Sequence, residues 1–131
     1  MQTLPLRLVP GDDLRASLEA IARSQALSAA FVLQGIGSLS VARLRYAGID
    51  DPAQLTGDFE ILTFAGSLSI DGAHLHMSIS DRDGRVFGGH VATGCIVRTT
   101  AEILIALLPE HTFSRESDPR TGFPELVVRP R

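Results

Sequence analysis

The stretch that decides the fold is Ala73-His74-Leu75-His76-Met77-Ser78-Ile79-Ser80, in which apolar and polar side chains alternate. This period of two predicts a β-strand with one buried face. The apolar side chains belong to the core face: Leu75, Met77 and Ile79. The polar side chains face a pocket or an interface: His74, His76, Ser78 and Ser80. Because the Cα atoms of the two histidines would lie about 6.5–7 Å apart, their imidazoles can converge on one metal ion.

A hairpin turn is predicted directly after this strand. Asp81-Arg82-Asp83-Gly84-Arg85 combines polar turn residues with a glycine, and residues 85–92 form the expected partner strand. A three-residue loop at positions 82–84 would be a type I turn with Gly84 in the left-handed conformation and a β-bulge.

The length of this loop decides where His90 lies. With three loop residues, His76 faces His90 across the hairpin at a Cβ separation of about 4.5–5.5 Å. The third histidine, His74, is then on the same face. With two or four loop residues His90 would lie on the core face instead, and a bulge at Gly88-Gly89 would also change the register.

Three neutral imidazoles on one face would bind a metal ion of charge +2 and leave a coordination position open. Catalytic zinc sites have this arrangement, in which a bound water becomes nucleophilic near neutral pH. Other transition metals also suit imidazole. The alternative is that the histidines are surface or interface residues with ordinary hydrogen bonds. The three-residue loop favours metal binding by His74, His76 and His90.

The segment before the histidine strand predicts a strand, a helix and further strands. Residues 3–9 alternate, and Asp12 can cap a helix at residues 13–25. The helix has an apolar stripe that would cover a sheet: Leu14, Leu18, Ile21 and Ala22. Residues 29–47 indicate two strands around a glycine-rich bend, and residues 59–70 indicate another strand.

The C-terminal part of the chain is less regular. Residues 101–108 are ambiguous, because Thr99-Thr100-Ala101-Glu102 matches a helix capping box, whereas the short apolar run before Pro109 favours a strand. From residue 114 onward we expect mostly loop, with a last strand at residues 125–128.

The chain has 131 residues, of which 44% are hydrophobic, enough for one core without disulfides. We expect a single domain over residues 1–131, with an α+β fold in which one main helix packs on an antiparallel-rich mixed β-sheet. The lone cysteine, Cys95, is expected in the core. No signal peptide or membrane-spanning run is evident, and a reducing, cytoplasmic location is expected.

The charge pattern disfavours a nucleic-acid surface made by one stretch of sequence. The formal net charge is −3, and the 12 basic residues are arginines dispersed along the chain. Because a clustered basic face supplies most non-specific DNA affinity, DNA is a weaker expectation than a small-molecule ligand. Folding or assembly can still gather dispersed arginines on one surface.

Two carboxylates are candidates for chemistry beside the histidines. Glu60 and Glu102 each lie in an apolar stretch, where a carboxyl group could act in acid–base chemistry or orient a metal-bound histidine. Glu102 is the candidate catalytic residue, although a paired structural charge is the commoner role. His111 is expected to be an ordinary loop histidine.

Seven segments of the chain occur in an order that resembles a known family. They are Arg7-Leu8-Val9-Pro10-Gly11-Asp12-Asp13-Leu14, Gly35-Ile36-Gly37-Ser38, Phe59-Glu60-Ile61-Leu62, His74-Leu75-His76-Met77-Ser78-Ile79-Ser80-Asp81, Gly88-Gly89-His90, Thr99-Thr100-Ala101-Glu102 and Asp118-Pro119-Arg120-Thr121-Gly122-Phe123. Together they resemble the PPC domain (plants and prokaryotes conserved) over nearly the whole chain. The resemblance implies an α+β fold, a homotrimer, and a metal site, with zinc as the expected ion, at His74, His76 and His90.

The resemblance also implies a link to DNA, because plant members carry the domain behind an AT-hook in DNA-binding nuclear proteins. Bacterial single-domain relatives are often labelled candidate DNA-binding proteins for this reason. The present chain departs from the plant pattern in two places. Arg129-Pro130-Arg131 lacks the glycine of an AT-hook core, and Asp58 stands where the plant partner-binding motif has an arginine.

Two functions are therefore expected as alternatives. In the first, the chain is a PPC-domain protein whose three histidines hold zinc or another transition metal, and it binds or acts on a small molecule. In the second, it is a DNA-associated regulator in which the trimer is a scaffold and the histidines are structural. The missing AT-hook and the acidic balance favour the first.

Overall fold

A computed structural model describes the whole chain, from Met1 to Arg131. One helix, α1 (Leu14–Ser24), follows the first strand. The eight strands are β1 (Gln2–Leu8), β2 (Ala30–Arg45), β3 (Ala53–Ser69), β4 (Gly72–Ser80), β5 (Val86–Val91), β6 (Ile96–Leu107), β7 (His111–Asp118) and β8 (Phe123–Pro130).

Six strands form one sheet in the order β1-β6-β2-β3-β4-β5, and every strand pairing is antiparallel. The end of β2 also pairs with β5, so that β2, β3, β4 and β5 close on themselves. The last two strands form a separate two-stranded sheet. The predicted α+β class with an antiparallel-rich sheet and one packed helix is confirmed. No helix has the length and apolar character needed to cross a membrane.

The core lies between the sheet and α1. The apolar face of β4 is buried as its alternation predicts, with Leu75 and Ile79 fully inaccessible. The helix buries its predicted stripe at Leu14, Leu18 and Ala22. Cys95 is also buried, as predicted, and unpaired.

The helix cap differs from the prediction. Asp13, and not Asp12, is the N-cap residue: it has extended dihedral angles, and its Oδ1 accepts a hydrogen bond from the Ala16 amide at 3.0 Å. The carboxylate of Asp12 points backwards and accepts from the Val9 amide. The cap is set by the chain direction after the turn, which the two adjacent aspartates leave ambiguous.

The predicted bend at residues 35–38 is wrong, because β2 runs through it as one strand. The glycines allow close packing instead of a change of direction. A Cβ on Gly37 would lie 2.3 Å from the Thr100 carbonyl oxygen, and a Cβ on Gly35 would lie 2.9 Å from the Phe64 ring. The strand reading of residues 101–108 is confirmed, since they belong to β6, and the helix alternative is wrong.

The predicted last strand at residues 125–128 is confirmed, since it lies within β8, but the predicted loop around it is wrong, because β7 and β8 pair over their full length. The two strands form no strand pairing with the main sheet. Phe113 anchors them, since it is buried and packs edge-to-face on Phe31 at a ring separation of 6.0 Å. A long-range contact of this kind leaves no periodic signal in the sequence.

Candidate functional site

The β4–β5 turn has the predicted three-residue loop. The Gly84 amide donates to the Asp81 carbonyl oxygen at 3.0 Å, and Gly84 has a φ of 76°. The Asp81 amide donates to Arg85. Pairing then continues without a bulge at Gly88 and Gly89, so the predicted register is confirmed.

This register brings the three histidines together. His76 pairs with His90, and the ligand nitrogens of His74, His76 and His90 all lie within 4.8 Å of one another. The Nε2 atoms of His74 and His76 are 3.2 Å apart. Ligand nitrogens of a tetrahedral zinc ion, each about 2.0–2.1 Å from the metal, are roughly 3.3 Å apart. The imidazole cluster therefore needs small ring rotations to fit one ion.

His90 has an unbalanced set of hydrogen-bonding partners. Its Nδ1 is buried with no partner, and its Nε2 lies 3.3 Å from Nη1 of Arg15. A neutral imidazole has one acceptor nitrogen and one donor nitrogen. If Nε2 accepts from Arg15, the buried Nδ1–H lacks an acceptor, which costs about 1–3 kcal/mol.

Metal binding at His90 would require Arg15 to break its contact with the imidazole ring. A metal on Nε2 would take the lone pair that Arg15 uses, and a metal on Nδ1 would put a hydrogen on Nε2, against the guanidinium. Arg15 has other partners, since its Nη1 donates to the Val91 carbonyl oxygen and its Nε to Glu19. The donor set fits a metal ion once this single contact is released.

Two of the three histidines, His74 and His90, have a lowered pKa and are in the protonation state that metals require. Burial lowers the pKa of His90 to about 4, with a further contribution from the positive charge of Arg45. Burial also lowers the pKa of His74, as does the charge of Arg115. Both rings are therefore neutral near pH 7 and can offer a lone pair without losing a proton.

A cavity of about 650 Å³ opens beside His74 and His90. It lies between α1, the histidine strands and the β7–β8 hairpin. Its charged lining residues were not singled out by the sequence analysis: Arg15, Glu19, Arg23, Arg45, Asp71, Arg115 and Glu125. Arg15, Glu19 and Arg23 lie on α1 at a spacing of four residues. No sequence pattern links them to the other four residues, which come from separate elements that only the closed sheet and the hairpin bring together.

The candidate carboxylates lie elsewhere. Glu60 and Glu102 are exposed and line a separate cleft with Ile36 on the outer face of the sheet. The burial expected for them is absent, because strand alternation turns both carboxylates outwards, away from the core. His111 begins β7 instead of lying in a loop, and it is also exposed. Burial raises the pKa of the Cys95 thiol to about 11, so this group is not a nucleophile.

The sequence model of the Plants and Prokaryotes Conserved (PCC) domain matches residues 1–109. The chain belongs to this family. The resemblance to the PPC domain is thereby confirmed. The family match ends just before β7, so the hairpin that lines the cavity lies beyond it.

Two curated relatives are both named bifunctional protein GlmU, from two Synechococcus strains. They are 48% and 49% identical to this chain over 130 and 128 residues. These matches include 99% and 98% of this chain but 21% of each relative. The chain therefore spans about a fifth of the length of the curated relatives.

Solved structures share the whole fold. A hypothetical protein from Salmonella enterica is 41% identical, with a TM-score of 0.97 and coverage of 99% of this chain and 94% of the other. The metal-containing protein AF0104 from Archaeoglobus fulgidus is 25% identical, with a TM-score of 0.82 and coverage of 97% and 94%. A candidate DNA-binding protein from Bacteroides thetaiotaomicron, 19% identical, has a TM-score of 0.86 and coverage of 95% and 91%, which shows the fold alone.

Proposed function

We propose that this PCC-domain protein binds one transition metal ion, with zinc as the first candidate, and binds or acts on a small molecule beside it. His74, His76 and His90 are the proposed ligands. The observation that carries the proposal is the convergence of their ligand nitrogens within 4.8 Å. The metal content of the Archaeoglobus protein supports it.

Three protein ligands leave a fourth position for water or for an atom of the small molecule. A bound zinc ion would supply a Lewis acid and lower the pKa of a bound water. The chain itself holds the ligand nitrogens on two paired strands, whose opposite faces are packed in the core. This backing limits ring movement, and it keeps His74 and His90 at the wall of the cavity.

Zinc titration tests the proposal. We expect one equivalent of zinc per chain by elemental analysis after chelator treatment and reloading. His76→Gln and His90→Gln should each weaken zinc binding by about 100-fold or more, since losing a ligand should cost at least as much as losing its outer partners. His111→Gln is the matched control, because His111 is exposed and outside the cluster. Zinc-free wild-type protein after reloading would contradict the proposal.

We infer that the isolated chain binds duplex DNA weakly. Its net charge is −3, and Arg85, Arg98, Arg120 and Arg129 are exposed arginines already in ion pairs with acidic neighbours. Fluorescence anisotropy with a labelled duplex should show no salt-sensitive binding at nanomolar protein and physiological ionic strength. Such binding would instead support the DNA-associated regulator.

We also propose a homotrimer in a cytoplasmic setting, as the family resemblance implies. Large apolar side chains are exposed on the neighbouring strands β2, β3 and β6: Phe31, Leu33, Ile36, Leu62 and Leu104. Burial of such a patch between copies of this chain would remove it from water. Light scattering should give three times the 14.0 kDa chain mass, and Ile36→Glu should shift it towards the monomer. A monomeric wild-type protein would contradict the assembly.

A further inference from the structure

Two arginines beside the histidines have no acidic partner. Arg45 and Arg115 are both partly buried, and neither takes part in any ion pair of the structure. Arg115 donates from Nη2 to the Ser67 hydroxyl at 2.7 Å, which fixes the guanidinium without neutralising it. A partly buried charge is stabilised by a counter-ion, and the protein supplies none here.

Both arginines face the cavity of the histidine site from different elements. Arg45 pairs with His90 at the closure between β2 and β5, and Arg115 lies on β7. The two arginines line the same cavity of about 650 Å³ as His74 and His90. Tertiary structure therefore gathers the positive charge of the cavity beside His74 and His90.

The acidic groups of the cavity do not cancel this charge in one place. Glu19 forms an ion pair with Arg15 at 2.8 Å. Asp71 is exposed at the turn between β3 and β4. Glu125 is partly buried near His74 and forms no ion pair; its side chain accepts a hydrogen bond from Thr121. The negative charges of Asp71 and Glu125 would repel an anionic group of a ligand, so that this group would lie near Arg45, Arg115 and the histidines.

We propose that this cavity binds a small molecule with an oxyanion group, a phosphate or a carboxylate, held by the guanidinium groups of Arg45 and Arg115. The inference deepens the proposed function and rests on it only for the contact between the ligand and a metal. Guanidinium groups bind such anions with paired, charge-assisted hydrogen bonds. The cavity volume lies in the range of small-molecule sites, about 300–1,000 Å³.

The rest of the ligand would meet the C-terminal hairpin and the β3–β4 turn. The apolar side of the cavity is formed by Ile70, Phe123 and Pro124. A molecule with an oxyanion at one end and an apolar or ring portion at the other fits this division. Arg115, Phe123 and Pro124 lie beyond residues 1–109, so the hairpin adds ligand recognition to the part of the chain that the PCC model matches.

Calorimetric titration with inorganic phosphate and, separately, acetate tests this inference. We expect at least one of the two anions to bind the zinc-loaded wild type. Arg45→Gln and Arg115→Gln should each weaken binding by about tenfold or more, which is the effect of losing one charge-assisted hydrogen bond. The stronger probe identifies the anion class.

Two further variants keep the test decisive. Arg7→Gln removes an exposed arginine on β1 and should leave anion binding within twofold of the wild type. Arg115→Lys keeps the charge but not the fork of donors, and it should bind the anion more weakly than wild type but more strongly than Arg115→Gln. Failure of both anions to bind the wild type, or equal losses in Arg7→Gln and Arg45→Gln, would overturn the inference.

A chelator-treated sample separates this inference from the metal proposal. The chelator-treated protein could bind an anion through Arg45 and Arg115 and yet take up no zinc on reloading. That result would support the anion site and contradict the metal site. Stoichiometric zinc with no binding of either anion would do the reverse.

Discussion

The β4–β5 and β7–β8 hairpins are both antiparallel and both border the histidine cavity, but they are stabilised differently. The first belongs to the six-stranded sheet and buries every second residue of β4. The second forms its own sheet, with polar contacts such as Glu116 to Arg129 at 2.6 Å on its surface. The proposed metal ligands therefore lie on a hairpin that is packed in the core, whereas part of the proposed small-molecule site lies on a peripheral hairpin.

The largest expected effect is a difference in how much a truncated side chain in each hairpin lowers the free energy of unfolding. Ile79→Ala removes a fully buried side chain of β4 and should lower the free energy of unfolding by about 2–5 kcal/mol. Val128→Ala, its counterpart on β8, removes a side chain that is 53% exposed and should change it by no more than about 0.5 kcal/mol. Urea unfolding measures both, and equal losses would remove the distinction.

A glycine substitution in the β4–β5 hairpin should show whether this hairpin, and not β7–β8, supports the proposed metal site. A Cβ on Gly88 would lie 2.2 Å from the Met77 carbonyl oxygen, so Gly88→Ala should push β5 from β4. We expect a loss of about 1–3 kcal/mol in stability. We also expect a loss of about tenfold or more in zinc affinity, because His90 moves with β5.

The matched variant in the other hairpin is Gly122→Ala. Gly122 has a φ of 78° and open space around its Cβ position, so the variant carries only the cost of a left-handed residue, about 1–2 kcal/mol. Its zinc affinity should equal that of the wild type in a competition titration with a chromophoric chelator. A similar loss of zinc in both variants would show that the β7–β8 turn also supports the metal site.

A smaller effect is expected from a substitution in α1, which contributes Arg15 to the lining of the cavity. Arg15→Met removes the guanidinium that contacts His90 Nε2, together with its positive charge. Zinc affinity, measured without added anion, should rise about threefold to tenfold, consistent with the repulsion of roughly 1 kcal/mol between charges a few ångströms apart in water. Unchanged or weaker zinc binding would mean that Arg15 does not compete with the metal.

The smallest effect concerns pH and the surface of the β7–β8 hairpin. Hydrogen bonds from Arg129 and Ser114 lower the pKa of Glu116 to about 2, below its ordinary value of 4.5. A carboxyl with a lowered folded-state pKa stabilises the protein above pH 4.5, and this contribution is lost as the pH falls towards 2. The urea midpoint of Glu116→Gln should therefore decline less than that of the wild type between pH 5 and pH 2. Parallel declines would contradict this.

The candidate metal ligands could be predicted because their signals are local. Alternation in residues 73–80 determines which side chains of β4 are buried, and the turn residues around Gly84 determine the register to His90. The arginines of the cavity could not be predicted. Arg45 reaches His90 through the closure of β2 on β5, and Arg115 reaches the cavity through the docking of β7. Neither contact has a fixed spacing in the chain.

The sequence by itself determined the histidine strand, its hairpin register, the helix stripe and the family, because each depends on short spacings or on the identity of matched residues. The tertiary structure alone decided that β2 is continuous, that the C-terminal segment is a hairpin, and that Glu60 and Glu102 face outwards. Gly35 and Gly37 show the physical reason. A glycine suits a bend and a close backbone approach equally well, and only the neighbouring strand shows which one is present.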